Sequence, residues 1–155
     1  MKRVLSFVAC LCVVLLALTA CGGNGSKGSN ELIGKWKQVV DQSGVKAVTV
    51  YDFEEDGILE QSLSVTGEYP KTEIVGEAKA KYEYEDGVIS FTFSGSDMTF
   101  SKFEIEGLPD DMIEMAKEQT LSSMVDMKQQ MENVKIDGNK LTATFNGQEI
   151  EMTRQ

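Results

Sequence analysis

From Glu31 to Glu106 apolar side chains recur at every second position, and this alternation restricts the segment to pleated strands with one buried face. Leu32, Gly34, Trp36, Gln38 and Val40 share one side, with Lys35, Lys37 and Asp41 on the other. Ala47, Thr49, Tyr51 and Phe53 make the next inward row, although Val48 and Val50 leave its back apolar as well. Leu59, Leu63 and Val65 follow. Ala78, Ala80, Tyr82 and Tyr84 then alternate with Lys79, Lys81, Glu83 and Glu85, and Ile89, Phe91 and Phe93 with Ser90, Thr92 and Ser94. A helix would scatter these rows around its circumference. Half-buried antiparallel strands keep them together.

The punctuation between the rows agrees. Asp56-Gly57, Asp86-Gly87, Asp137-Gly138 and Asn146-Gly147 each sit between two such runs. These dipeptides tolerate the positive φ angles of tight hairpin turns. Phe100–Ile105, Val134–Ile136, Leu141–Phe145 and Ile150–Thr153 complete a set of eight or nine strands. Short strands at this spacing predict a mainly β, antiparallel up-and-down meander, arranged as a sandwich or a barrel. Closure is favoured because a long meander otherwise presents two unpaired edges.

One segment breaks the rhythm. Leu108-Pro109-Asp110-Asp111 starts a helix, with a proline and two acids at the positive end of the helix dipole. Ile113, Ala116, Thr120, Met124, Met127, Met131 and Val134 recur at spacings of three and four, a single stripe with Glu114, Lys117, Glu118 and Lys128 largely off it. The spacing predicts one amphipathic helix from about residue 110 to about residue 132, inserted before the last strands.

Ahead of the strands, Met1-Lys2-Arg3 is a basic head, Val4 to Leu18 is an uncharged apolar run, and Leu18-Thr19-Ala20-Cys21 ends it in small residues and a cysteine. This is a signal-peptide pattern, too short and wrongly flanked for a spanning helix. Its last four residues resemble the lipobox of bacterial lipoproteins. The resemblance implies cleavage after residue 20, acyl chains of the palmitate kind on Cys21, and a place in the bacterial cell envelope on the extracytoplasmic side of a membrane. Residues 21–30, rich in Gly and Ser, then read as a flexible tether spanning roughly 15–20 Å, and 31–155 as one domain. Cys10 and Cys12 belong to the signal, so once Cys21 is acylated no disulfide can hold the fold.

Composition removes whole classes of chemistry. The chain has no histidine, so the commonest general base and zinc ligand is missing, along with Ser-His-Asp and Cys/His catalysis. A net charge of −10 disfavours nucleic acid and adsorption to anionic headgroups. Lys2 and Arg3 leave with the signal and make the remainder more acidic. The thioethers of Met124, Met127 and Met131 share a face and could in principle attract Cu(I). With no His or Cys beside them they read instead as core packing or an adaptable lid. Glu54-Glu55-Asp56 and Asp110-Asp111-Glu114 lack the spacing of a calcium loop and read as a solvated turn and a helix start. No catalytic residue, metal site or cofactor is expected.

Gly34-x-Trp36 at the head of the first strand, with Tyr51-Asp-Phe53-Glu-Glu-Asp56-Gly57 closing the second, resembles the lipocalin-like domains of bacterial lipoproteins. The resemblance covers roughly residues 32–153. It implies that Trp36 packs across the closed end of a barrel under an arginine from the end of the sheet, for which Arg154 is the candidate. A guanidinium over an indole contributes about 0.5–2 kcal/mol. The residues alone are as consistent with Trp36 as an ordinary core aromatic. The inserted helix departs from the family, whose helix follows the barrel. The function implied is binding of a small, mostly apolar ligand, with Tyr82, Phe91, Phe93, Met124, Met127 and Met131 as the expected lining. The alternative is an envelope interaction module with a filled barrel that binds another protein. The volume of the interior separates the two.

Overall fold

The computed structural model describes residues 30–155. The signal segment, Cys21 and the tether up to residue 29 lie outside the described residues. Eight strands and one helix succeed one another in order: β1 (Gly34–Gln42), β2 (Val45–Phe53), β3 (Ile58–Glu68), β4 (Lys71–Glu85), β5 (Val88–Ile105), α1 (Asp110–Met124), β6 (Lys128–Asp137), β7 (Lys140–Phe145) and β8 (Gln148–Arg154). Each strand pairs antiparallel with the next, and β8 returns to β1, so the meander is a closed barrel.

The expected turns carry the hairpins. Asp86-Gly87 and Asn146-Gly147 place both central residues at positive φ (49° and 76°, 61° and 74°). That geometry matches the right-handed twist of the flanking strands. Phe93 and Phe100 belong to a single long strand instead of two. Between them Ser94–Asp97 bulge out, because Ala80 pairs with Phe93 whereas Ala78 pairs with Met98. A bulge of this kind bends its strand and re-aims the side chains beyond it.

The helix is shorter than its periodicity implies. It ends at Met124, Asp126 adopts a φ of 60°, and Lys128 already opens β6. Met131 is therefore a strand residue, opposite Ile89, and Met127 lies in the connection. A spacing of four, as between Met127 and Met131, fits a helical stripe and a strand face equally well. The pairing of Lys128–Met131 with Ile89–Thr92 decides for the strand.

Two seams make the barrel asymmetric. β6 meets β5 only along Ile89–Thr92, and β8 meets β1 only at Trp36↔Arg154 and Lys37↔Thr153. Both seams lie toward the end where β1 begins and β8 finishes. At that end the interior is packed: Trp36, Phe53, Leu59, Ile89, Phe93, Met131, Leu141 and Met152 are fully buried and form one cluster. Toward the other end β5 and β6, and β8 and β1, are no longer paired. Inward side chains such as Val40, Thr49, Leu63, Phe145 and Ile150 are only half-buried there. Helix α1 connects the strands at this open end.

Candidate functional site

The closed end is built by the segment that enters the barrel. Leu32 is fully buried beneath the strands, and its carbonyl accepts a 2.7 Å hydrogen bond from Trp36 Nε1. Arg154, reached at the last position of β8, lays its guanidinium 4.2 Å from the centre of the indole. The same guanidinium donates to the carbonyls of Ile33 (2.8 Å) and Glu31. One side chain thus ties the first and last described segments together. Gly34 has a φ of 118°, and a Cβ there would come within 3.0 Å of Arg154 Nη1, so the glycine leaves room for the arginine. Gly34, Trp36 and Arg154 are thus brought together at this end.

The expected aromatic lining is part of the packed core. Phe91 and Phe93 meet edge to face at 5.3 Å, Phe53 and Tyr82 at 5.0 Å, and Met131 is fully buried among them. The Tyr82 hydroxyl donates to the Glu54 carbonyl at 2.9 Å and pins the β2–β3 turn. Burial, with Asp56 nearby, raises the Tyr82 pKa above its ordinary value. Tyr82, Phe91, Phe93 and Met131 fill space. Met127 is half-buried in the α1–β6 connection.

Of the expected lining, Met124 borders open space. It roofs a half-open pocket of about 30 Å³ with Gln61, Leu63, Gly76, Ala78, Met98 and Phe100, and the exposed Glu77 and Thr99 complete it. Gly76 is what lets the pocket exist in this shape. A Cβ there would lie 2.8 Å from Phe100 Cδ1, so the ring lies across bare backbone. Nothing in the sequence pattern marks Leu63, Gly76 and Phe100 as site residues. Their convergence depends on the β5 bulge, which no local pattern announces.

The roof is loosely held. Of the fifteen residues of α1 only Thr120 and Met124 are buried, and Met112 and Met115 are 42% and 64% exposed. Pro109 supplies no side-chain cap; its carbonyl accepts from the Met112 and Ile113 amides, and Asp110 and Asp111 favour the positive helix end. At the other terminus Asp126 N–H donates to Phe93 O at 2.9 Å, while Val125 packs within 3.5 Å of where a Cβ of Gly95 would be. A helix fixed at its C-terminal end, with few buried contacts along its length, opens at low cost.

Gln61 lines the pocket, and Tyr51 is its cross-strand neighbour in the core. Tyr51 is 4% exposed and pairs across the strands with Gln61, which in turn pairs with Ala78, and Ala78 with Met98. Among the described residues no buried side-chain nitrogen or oxygen is left without a hydrogen-bond partner. Desolvation by burial pushes the Tyr51 pKa well above that of an ordinary tyrosine, so the group is a neutral O–H at physiological pH.

A carboxylate cluster lies outside the barrel. Asp52, Glu54 and Glu60 bring one oxygen each to within 4.8 Å of one another. Lys35 bonds Asp52 at 3.0 Å and Lys79 bonds Glu60, so lysines already engage two of the three. The hydrogen bonds to Asp52 and Glu60 raise the pKa values of the two lysines. The register Lys35↔Asp52↔Glu60↔Lys79 places all four in one row across four strands. Of the two acidic runs in the sequence, only Glu54 belongs to this cluster. Among the described residues no helix is long and apolar enough to cross a membrane. No protein-family model matches the chain, and no curated protein matches it.

Proposed function

We propose that this chain is a lipid-anchored, extracytoplasmic, lipocalin-like protein whose open half binds a small, mostly apolar ligand beneath α1. The observation that carries the reading is a helix that buries only two of its side chains, one of which, Met124, lines a pocket with Leu63, Met98 and Phe100. A helix serving only as a wall would bury its apolar stripe. The pocket's 30 Å³ is far below the roughly 300–1,000 Å³ of ordinary ligand sites. Binding therefore requires α1 to lift and join the pocket to the half-buried mouth formed by Val40, Thr49, Phe145 and Ile150. The lipobox-like segment supports the anchor. The described residues begin at the closed end, so an anchor preceding them would leave the mouth on the side away from the membrane.

A second reading, an envelope interaction module, is favoured by a different observation. The interior around Trp36 and Phe93 is filled, and Tyr69, Met112 and Met115 present apolar surface outside it. Titration with an apolar fluorescent probe separates the two. The ligand reading expects saturable binding in the wild type and its loss in a folded Met124→Glu variant. Absence of saturable wild-type binding transfers the assignment to the interaction module. Membrane fractionation of Cys21→Ser tests the anchor independently: release into the aqueous fraction is expected, because acyl burial contributes about 0.8 kcal/mol per CH₂.

A further inference from the structure

We infer that the outer face of β1–β4 is a self-association surface, on which a second copy of this chain docks antiparallel through rows of opposite charge. The four strands are in register, so their outward side chains form rows across the sheet. The row nearest the closed end carries the signs + − − + at Lys35, Asp52, Glu60 and Lys79. The row farthest from it carries − + 0 − at Asp41, Lys46, Thr66 and Glu73. Between them the centre is uncharged, with Val48, Val50, Ser62 and Ser64, and the neighbouring Val39 is 50% exposed. An uncharged centre inside a charged rim is the anatomy of an interface.

The signs select the partner and its orientation. A two-fold axis running across the strands, between Lys37 and Val39, turns the first row of one copy onto the last row of the other. Lys35, Asp52 and Lys79 then face Asp41, Lys46 and Glu73 of the second copy, Glu60 faces Thr66, and symmetry repeats each contact. In the centre Val50 meets Val48 and Ser62 meets Ser64. A two-fold along the strands fails, because it sets Lys35 on Lys79 and Asp52 on Glu60. Asp41 and Lys46 are exposed and have no ion-pair partner among the described residues. Asp52, Glu54 and Glu60 crowd their oxygens within 4.8 Å of one another, and the second copy's Lys46 arrives beside them. Elsewhere copies repel, since the chain has 25 acidic residues against 15 basic ones. With Lys37 and Glu77 at its margins, this face sets four lysines against five carboxylates. Strand spacing and rise give it about 19 Å by about 23 Å, below the roughly 800 Å² per partner of a stable interface, so the pair is transient. Both mouths open at opposite ends of the pair, clear of the contact, and the inference does not rest on the ligand reading.

The test is sedimentation equilibrium of the full chain in a non-ionic detergent matched to the solvent density. The wild type is expected to show a reversible monomer–dimer equilibrium with a dissociation constant on the order of 0.1 mM. Lys46→Glu sets like charges against Asp52 at both symmetric contacts and should weaken the dimer about tenfold. Lys46→Glu combined with Asp52→Lys restores opposite signs and should recover most of the wild-type affinity. Lys135→Glu, exposed on β6, changes the net charge as much as Lys46→Glu does and should stay within about twofold of the wild type. Lys46→Gln removes the charge without reversing it, and its smaller loss in the same direction does not depend on the reversed variants folding. Circular dichroism checks the fold of each. A wild type that stays monomeric at every concentration overturns the inference and leaves the face to solvent or to another protein. A Lys46→Glu loss no larger than that of Lys135→Glu also overturns it, and is what association through acyl chains alone would give. So does a folded charge swap that recovers nothing, because the two-fold then does not bring Lys46 to Asp52.

Discussion

The two halves of this barrel are made from the same strands and differ in how they are finished. Near the start of β1, both seams are hydrogen-bonded, Leu32 fills the bottom and Arg154 clamps the indole of Trp36. Toward the other end β5 has parted from β6, β8 has parted from β1, and a lightly buried helix stands where strands would otherwise meet. Closure supplies stability where the chain enters, and incomplete closure leaves usable surface where it does not. Active regions are drawn from the low-stability parts of a fold for this reason.

The largest effect should come from the centre of the closed half. Trp36→Ala removes a fully buried indole and the hydrogen bond to Leu32. It is expected to lower unfolding free energy by about 3–5 kcal/mol, measured by chemical denaturation. Leu63→Ala in the half-buried open part should cost less than half as much. Comparable losses at both positions would abolish the contrast between the halves.

That contrast was only partly legible in the sequence. Alternation from Leu32 to Phe93 prescribes strands because each row has an obvious wet side, and Asp86-Gly87 and Asn146-Gly147 prescribe where they reverse. The Trp36–Arg154 contact could be anticipated from a family resemblance, although the partners stand at opposite ends of the domain. What could not be read was register. Met127 and Met131, four apart, fit a helix and a strand alike. The pocket of Leu63, Gly76 and Phe100 exists only because Ser94–Asp97 shift β5 against β4. Nor does any local signal bring Asp52 beside Glu60. Periodicity reports which side of a strand is buried, whereas a site depends on which strand positions stand opposite one another.

Arg154→Ala should have the next largest effect, a loss of about 2 kcal/mol from the cation–π contact and two hydrogen bonds to carbonyls. In a double-mutant cycle with Trp36→Ala the losses should fall short of additivity, because the guanidinium has nothing to stack on once the indole is gone. Additive losses would show that the clamp acts through the Glu31–Ile33 segment alone.

Alkaline titration probes the boundary between the halves. Burial raises the Tyr51 pKa in the folded state above the value of about 10 that it takes when unfolded. Below that value both states keep the proton and the group has no pH-dependent effect. Above it the unfolded chain releases the proton while the folded chain holds it, so stability falls as pH rises. The slope is about 1.4 kcal/mol per pH unit for one proton. Tyr82, raised in the same direction, adds to the same window. Tyr51→Phe should therefore flatten the loss between about pH 10 and 11 in denaturation curves. An unchanged slope would mean that Tyr51 reaches water through the open mouth in the folded protein.

The smallest effect is expected on the outer face of the closed half, where charges of sign + − − + run across Lys35, Asp52, Glu60 and Lys79. Adjacent carboxylates in the middle of the row repel, and each end lysine offsets part of that repulsion. The lysine side chains are exposed, so water and salt compete with the pairs and long side chains must be ordered to make them. Lys79→Gln should lower the thermal midpoint slightly at low ionic strength, and the difference should vanish near about 1 M salt, where charges are screened within a few ångströms. A salt-independent loss as large as that of Arg154→Ala would overturn the assignment of closed-end stability to the Trp36 layer. It would make the outer charge row a second clamp on β1 through β4.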